Sequence, residues 1–411
     1  MSAKAKDAVE QFVIVAPDRR KHADTTIDLL AKVFSGGPGY YGMRDWCREV
    51  YVMPAHYDWS VSRIGMIGDK AVTHWGVWDY RMRIGTAQVR AGGVGGVATD
   101  RDFRKQGLME QTARASVEAM RVEGYDVSLL FGIDDFYRRF GYVRAWSETA
   151  FAANAWELPK EKPTVRAIGF KPRPQRDLAD LYNRTYATTT GAAVRPTYTT
   201  RKHNPWFDLP MGYRWNENGK LAGYVLLNRR GSHTITCGEY CGDADETLRI
   251  LGMLARKWSC QEIRFDGLPY HCELLRRLRW GTCRMEVNNR KNGAAVMALL
   301  NLPSVLKKME GELSRRLRDS WLADWQGDLL IADTRDAAML SIADGRVRAG
   351  ERGATKHAIR GGDEIVQLLI GTAEPAEVTE AGRMRLSGDA GKLAEVFFPE
   401  QHPMLGHPDR F

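Results

Sequence analysis

The sequence predicts a mixed α/β chain of the α+β kind, built from three units, and three observations lead there. Residues 91–132 read as strand, basic glycine turn, helix and strand. Residues 220–281 echo that order with an acidic turn in place of the basic one. From about Leu302 the pattern changes to one long amphipathic helix followed by short strands and helices. A chain of 411 residues has length for two to three domains of ~100–200 residues. The expected divisions are 1–155, 156–295 and 296–411.

FVIVAP at 12–17 is a first strand. DTTIDLLAKVF follows as a helix with Asp24 as its N-cap, and Ile27, Leu30 and Phe34 share one face. The next stretch, 35–60, is turn-rich and dense in Tyr40, Tyr41, Trp46, Tyr51, Tyr57 and Trp59. Such a cluster either packs as a helix–loop–helix cover or floors a substrate pocket. VSRIGMI (61–67) and KAVTHWGVWDYRMRI (70–84) are strands separated by a Gly-Asp turn. AQVRAGGVGGVAT is the next strand, and its glycines at 92, 93, 95 and 96 predict a bulge or splay. A splayed strand has N–H and C=O groups outside the ladder, free for a peptide-like ligand.

The segment Arg104-Lys105-Gln106-Gly107-Leu108-Met109 then opens a helix. Successive N–H groups at a helix start form an anion-sized nest, the dipole adds partial positive charge, and Arg104 and Lys105 add full charges. Gly107 permits close approach of ligand to backbone. Met109, Ala113, Val117 and Met120 recur on one face, and Gly124 ends the helix as a C′ residue. DVSLLFG is a short buried strand. Asp134 to Phe140 form a short helix capped by Gly141, and a strand resumes at Tyr142.

In the middle unit RDLADLYNRTYATTTG is helical, LAGYVLLNRR and HTITCGEY are strands, and DETLRILGMLARKW is a strongly amphipathic helix. EIRFDGL is a strand and HCELLRRLRWG a helix ending at Gly281. Prolines at 159, 163, 172 and 174 mark the boundary before it. The echo of the first unit suggests an internal duplication, but GDAD at 242–245 would repel a diphosphate, so this copy is expected not to bind cofactor. In the third unit Leu306, Met309, Leu313 and Leu317 share a helix face. WQGDLLIAD and AAMLSIADGRVRAGE are strands, the second turning at ADGR, and DEIVQLLIG is a short helix.

The N-terminus lacks the apolar core of a signal peptide, and no apolar run nears the ~20 residues that span a bilayer. A cytoplasmic chain without a membrane span is expected. The net charge of +9 raises the question of nucleic acid. The arginines are scattered, however, and no basic tail or aromatic-interleaved RNA motif appears, so no nucleic-acid partner is expected. Six cysteines, Cys47, Cys237, Cys241, Cys260, Cys272 and Cys283, suit a reducing compartment better than disulfides. Cys237 and Cys241 lack a second pair at zinc spacing, so no metal is expected.

Two motifs carry a family resemblance. Arg104–Met109 is similar to R/Q-x-x-G-x-G/A, the pyrophosphate loop of the GNAT acetyltransferase superfamily. Phe136-Tyr137-Arg138-Arg139-Phe140-Gly141-Tyr142 is similar to its F/L-Y-x-x-x-G-F/Y. Met109 departs from the usual Gly or Ala. Tandem GNAT folds, the second degenerate, followed by a unit that resembles the sterol-carrier-protein fold, an antiparallel sheet with helices, form an uncommon order. It resembles the enhanced-intracellular-survival family of N-acetyltransferases, a branch that accepts larger residues at the Met109 position.

That resemblance implies acetyl-CoA as cosubstrate, held by Val97, Ala98 and Thr99 along its pantetheine arm and by Arg104, Lys105, Gln106, Gly107, Leu108 and Met109 at its diphosphate. It implies Tyr137 as the acid that protonates the leaving thiolate, with Tyr142 as rival. The α-carboxylate of Phe411 is implied as the group that takes the amine proton, although a carboxylate of reference pKa ~3.5 is a weak base. It also implies a primary amine acceptor, aminoglycoside-like, polyamine or lysine, direct attack in a ternary complex, and a homo-oligomer, with a hexamer the form suggested. Asp409, Asp24 and Asp58 are candidate acids for a cationic substrate, while Arg410 and the positive net charge count against tight aminoglycoside recognition. The rival readings are a binding or scaffold protein with relic GNAT units and a lipid-binding C-terminal unit, and an RNA-binding protein.

Overall fold

The computed structural model describes residues 11–53, 56–173, 175–196, 209–230, 233–351 and 353–411. The signal-peptide reading of the first ten residues and the boundary reading of Pro174 lie outside them. The first part of the chain gives β1 (Val13–Val15), β2 (Arg63–Ile67), β3 (Lys70–Ile84), β4 (Ala87–Thr99), β5 (Val127–Gly132), β6 (Val143–Trp146) and β7 (Glu148–Asn154). Its helices are α1 (Ala23–Phe34), α2 (Tyr40–Trp46), α3 (Leu108–Val122) and α4 (Asp134–Tyr137). The middle gives β8 (Ile168–Phe170), β9 (Ala193–Val194), β10 (Met211–Glu217), β11 (Lys220–Arg230), β12 (Thr234–Cys241), β13 (Glu262–Asp266) and β14 (Arg284–Asn288). With them come α5 (Arg176–Thr185), α6 (Ala244–Lys257) and α7 (Glu273–Trp280). The last part gives β15 (Ala294–Leu299), β16 (Gly327–Ala332), β17 (Ala337–Ala343), β18 (Arg346–Gly350), β19 (His357–Arg360) and β20 (Arg385–Ser387). Its helices are α8 (Leu302–Arg318), α9 (Ile365–Ile370), α10 (Pro375–Ala381) and α11 (Ala390–Phe397).

Among the described residues these strands build three sheets. The first runs β1-β2-β3-β4-β5-β15-β6, with β9 beside β3; the second runs β14-β7-β13-β12-β11-β10-β8; the third runs β18-β17-β16-β19-β20. β4 and β5 are parallel and flank α3 in sequence, just as parallel β12 and β13 flank α6. Two strands cross between sheets. β7 follows β6 directly but lies in the second sheet, whereas β15 fills the slot between β5 and β6 in the first. β15 is buried along its whole length, the pattern of a central strand covered on both faces.

The third sheet corrects one expectation. It is mixed rather than antiparallel, because β16 and β19 run parallel from Leu329 opposite His357 to Ala332 opposite Arg360. Short β19 and α10 interrupt a stretch with weak periodicity, so neither was expected. The apolar face of α8 is as read: Leu306, Met309, Leu313 and Leu317 are all fully buried, in a cluster shared with residues of β4, β5 and β17. The helix thereby joins the first and third sheets. Buried Glu312 accepts bonds from Arg315 and Arg316, each at 2.7 Å, and from the Thr86 hydroxyl in the β3–β4 turn at 2.7 Å.

Two readings of α1 are also corrected. The helix starts at Ala23, its N-cap position is His22, and Asp24 pairs with Arg48 instead of capping. Phe34 is 43% exposed in the last turn. The aromatic stretch after it packs mainly as a cover. Trp46 stacks on Tyr51 at 4.7 Å, Tyr51 tilts over Trp78 at 4.4 Å, and Tyr41 is left 79% exposed.

Candidate active site

β4 and β5 pair only from Ala91 opposite Val127 to Val94 opposite Leu130. Beyond that, Gly95, Ala98 and Thr99 keep partners on β3 but have none on β5. The register against β3 shifts between His74 and Gly76, and Gly96 takes φ +57°. This is the splay and bulge that the glycines predict. Val97, Ala98 and Thr99 lie on the splayed stretch. Side chains would not fit at two of the glycines: a Cβ on Gly93 would overlap the Phe411 ring, and one on Gly95 the Tyr51 hydroxyl.

His74 holds the bulge. Its Nδ1 lies 2.7 Å from the Gly96 carbonyl, which can only accept, so the proton is on Nδ1 and Nε2 accepts from the Tyr57 hydroxyl at 2.8 Å. Burial lowers its pKa from 6.5 to about 4, although the Gly96 bond opposes the shift. An unfolded chain takes up this proton below 6.5 and the folded chain only below about 4, so His74 lends stability above 6.5 that is lost as pH falls through that window. The loss reaches about 3 kcal/mol at the acid end. Urea unfolding at pH 7.5 and pH 4.5 (assay conditions of about those values) should show a smaller difference in His74→Asn than in the parent chain.

At the end of β4 the Asp100 carboxylate accepts from the Asp102 N–H at 3.2 Å and starts a turn of 3₁₀ helix, Arg101–Phe103. Lys105 (φ +61°) and Gly107 (φ +76°) are both left-handed, and nothing lies within 4 Å of where a Gly107 Cβ would sit. Gly107 is the N-cap position of α3 and no side chain caps it. The first-turn N–H groups of a helix lack partners within it, so Leu108 and Met109 add theirs to an uncapped positive end. Exposed Arg104 and Lys105 stand beside it, with Arg104 Nε donating to the Thr99 carbonyl at 3.3 Å. The corresponding α6 is closed. Its N-cap Asp243 accepts from the Glu246 N–H at 2.8 Å, which puts a carboxylate where an anion would bind.

Tyr137 ends α4, before the turn Arg138–Phe140 and Gly141 at φ +85°. Its ring fills the space over Gly132 at the end of β5 and meets Trp75 edge-on at 5.8 Å. Burial raises its pKa to about 12. Tyr142 is fully buried and donates to Ser128 at 2.7 Å, which in turn donates to the Gly92 carbonyl at 2.8 Å. That chain fixes its proton inside the core.

Phe411 lies across the same strands. Its ring sits against Gly93, 5.6 Å from Tyr80 and 6.1 Å from Phe131 between centroids, and its carboxyl carbon lies beside Gly95. Side chains alternate along a strand, so Gly93 and Gly95 share one face while Val94 clusters with Tyr137 on the other. Tyr137 and Phe411 therefore flank the β4–β5 gap from opposite faces. The three aspartates do not converge there. Asp24 pairs with Arg48, Asp58 accepts from Tyr125 at 2.6 Å, and Asp409 is buried against Arg195.

A cavity of about 1050 Å³ opens beside Phe411, between the first two sheets and the C-terminal tail. Phe131, Trp146 and Tyr270 line it with Glu148, Glu262, Asp266 and Glu400 and with Arg264, Arg290 and Arg410. Arg410 pairs with Glu148 at 2.7 Å, and its guanidinium lies 4.3 Å from the Phe131 ring centroid. Sequence reasoning missed these acids because they come from β7 and β13 of the second sheet and from the tail, and no local spacing links them. Among the described residues no group of three His, Cys, Asp or Glu could hold a metal ion, and no helix is long and apolar enough to cross a membrane.

A parallel pair that parts beside an uncapped helix start is the architecture of the GNAT acetyltransferases, and residues 16–145 match the family model for the acetyltransferase (GNAT) domain. No curated protein matches the chain. Solved structures share the fold along nearly its whole length. A GCN5-related N-acetyltransferase from Anabaena variabilis has a TM-score of 0.74 at 12% identity, covering 96% of this chain and 99% of that one. One from Kribbella flavida has a TM-score of 0.70 at 18% identity, with 97% and 98% covered. Eis1 from Mycobacterium abscessus has a TM-score of 0.64 at 16% identity, with 96% and 99% covered.

Proposed function

We propose that this chain is an acetyl-CoA-dependent N-acetyltransferase of the enhanced-intracellular-survival type, acting on a primary amine by direct attack in a ternary complex. The observation that carries this reading is the pair Tyr137 and Phe411 on opposite faces of the β4–β5 gap, with the open start of α3 at the end of the same strand. The likeness to Eis1 along the chain supports the family branch.

The residues present suit acetyl-CoA, because Gly107 leaves open space over an uncapped helix end flanked by two exposed cations. The N–H groups of Gly107, Leu108 and Met109, with Arg104, Lys105 and Gln106, would hold the diphosphate. Val97, Ala98 and Thr99 would bond the pantetheine arm, and an N–H among them would polarise the reacting carbonyl. When bound, acetyl-CoA supplies the activated acetyl group. The carboxylate of Phe411 would orient the amine and take its proton, since an alkyl ammonium is inert as a nucleophile. Tyr137 would keep its proton until sulfur leaves, which a pKa near 12 allows. The cavity beside Phe411, whose four acidic side chains and terminal carboxylate outnumber its three arginines, would admit a cationic amine such as a polyamine or lysine. A sterol-carrier-like third unit, a cytoplasmic location and a homo-oligomer, hexameric by resemblance, complete the proposal.

Calorimetry tests the cofactor half. Arg104→Glu should weaken acetyl-CoA binding by about 10- to 100-fold, the worth of a charge-assisted bond. A chain that binds no acetyl-CoA, and acetylates none of a panel of aminoglycosides, polyamines and lysine peptides, would instead fit a non-catalytic binding protein.

A further inference from the structure

The tail that delivers Phe411 passes first through the second sheet. There β12 and β13 repeat the geometry of β4 and β5: they pair from Thr234 to Cys237 and then part, and β12 has a register shift against β11. Glu239 lies on the parted stretch. His407 packs over Gly267 just past β13, and His407–Asp409 form a single turn of 3₁₀ helix. Arg195 joins the two elements. Its Nη1 and Nη2 reach Glu239 at 2.9 and 2.6 Å, and its Nε and Nη2 reach Asp409 at 2.9 and 2.8 Å. Tyr182 lies under the guanidinium at 3.5 Å, and Tyr224 donates to Glu239 at 2.6 Å.

All three charged side chains are sealed from solvent, at 0% exposure for Arg195, 3% for Glu239 and 2% for Asp409. A buried ion network adds little stability over an apolar core of the same volume. What it adds is direction, because a guanidinium fork fixes both carboxylates in angle as well as distance. Two residues span at most ~7 Å, so a fixed Asp409 confines the terminus to a small volume. Arg410, bonded to Glu148 at 2.7 Å, narrows it further.

We propose that the parted strands of the second sheet serve as a clamp on the tail, with Arg195 and Glu239 as positioning residues that hold the Phe411 carboxylate at the gap of the first sheet. The catalytic consequence rests on the acetyltransferase reading; the clamp itself does not. The test uses the full chain and Asp409→Asn, which keeps the shape and removes the charge. A carboxypeptidase that takes aromatic C-terminal residues is added to each folded protein, and release of Phe411 is followed by mass spectrometry. The clamp predicts slow release from the parent and release at least ~10-fold faster from Asp409→Asn, because the charge-assisted bonds are lost.

In transfer assays Asp409→Asn should lower kcat by about 10- to 100-fold, the effect of a small misplacement, with KM for acetyl-CoA little changed. Combined with deletion of Phe411 it should cost nothing further, whereas a purely structural role would make the two losses multiply. Should Asp409→Asn not fold, Asp409→Glu keeps the charge but lengthens the arm, and the same peptidase assay applies. A terminus equally protected in the variant overturns the clamp. Transfer unchanged by deleting Phe411 overturns the role of the terminal carboxylate, and the peptidase result then judges the clamp alone.

Discussion

Deleting Phe411 should lower kcat by roughly 10²- to 10³-fold, within the range of a lost proton acceptor, while acetyl-CoA affinity should stay within about two-fold. The split follows from where the residue sits. Its ring and carboxyl lie on the Gly93–Gly95 face of β4, whereas the uncapped α3 end and Arg104 lie beyond Thr99 at the far end of that strand. Loss of the terminus removes nothing from the end proposed to hold the diphosphate. A companion variant separates ring from carboxylate: one glycine added after Phe411 keeps the ring and converts its carboxylate to an amide. That variant should lose activity nearly as fully as the deletion. Full activity in the extended chain would assign Phe411 to packing.

The second large effect is at Tyr137. Tyr137→Phe keeps the ring against Gly132 and Trp75 and removes only the hydroxyl. It should lower kcat by about 10²- to 10⁴-fold, the usual contribution of a positioned acid. Because burial pushes the hydroxyl up to about 12, it stays protonated through the neutral and mildly alkaline range. Activity of the parent should therefore rise with pH as the amine deprotonates, without an alkaline fall from this tyrosine. Tyr142→Phe is the control. Its hydroxyl bonds Ser128 inside the core, so it should reduce stability by about 1 kcal/mol and leave the pH profile in place.

The reach of the sequence differs from element to element. The β4 glycines announce their own splay, because a strand with four such residues loses cross-strand packing and permits a left-handed residue such as Gly96. Gly107, Gly124 and Gly141 are legible for a similar reason: each sits at a helix boundary with positive φ. α3 was read by its apolar face, yet buried Thr112 and Ser116 lie on it too, bonded to Thr73 and to the Val61 carbonyl at 2.7 Å each. Periodicity registers only apolar residues, so such satisfied polar positions escape it.

Strand address is harder. β15 reads as an apolar run after the middle unit, and nothing local tells it to enter the first sheet between β5 and β6. The Arg195–Glu239–Asp409 group is hidden for the same reason, since Asp409 lies 214 positions after Arg195. Asp409 was read as a candidate for substrate and proves to be a buried anchor, because exposure cannot be judged from residue type. The tail itself is legible, because Pro399, Pro403 and Pro408 and the apolar Met404–Leu405 suit a docked segment better than a frayed one.

If the open start of α3 and the parted β4–β5 strands hold acetyl-CoA so that its acetyl group reaches an amine beside Phe411, thiol release and amine acetylation must be coupled. Mixing the purified chain with acetyl-CoA and a polyamine, then following free thiol and product mass together, tests this most directly. One thiol should be released for each acetyl group found on the amine, in the parent chain but not in the chain lacking Phe411. Thiol release with no acetylated amine, or acetylation equal in both chains, would contradict it.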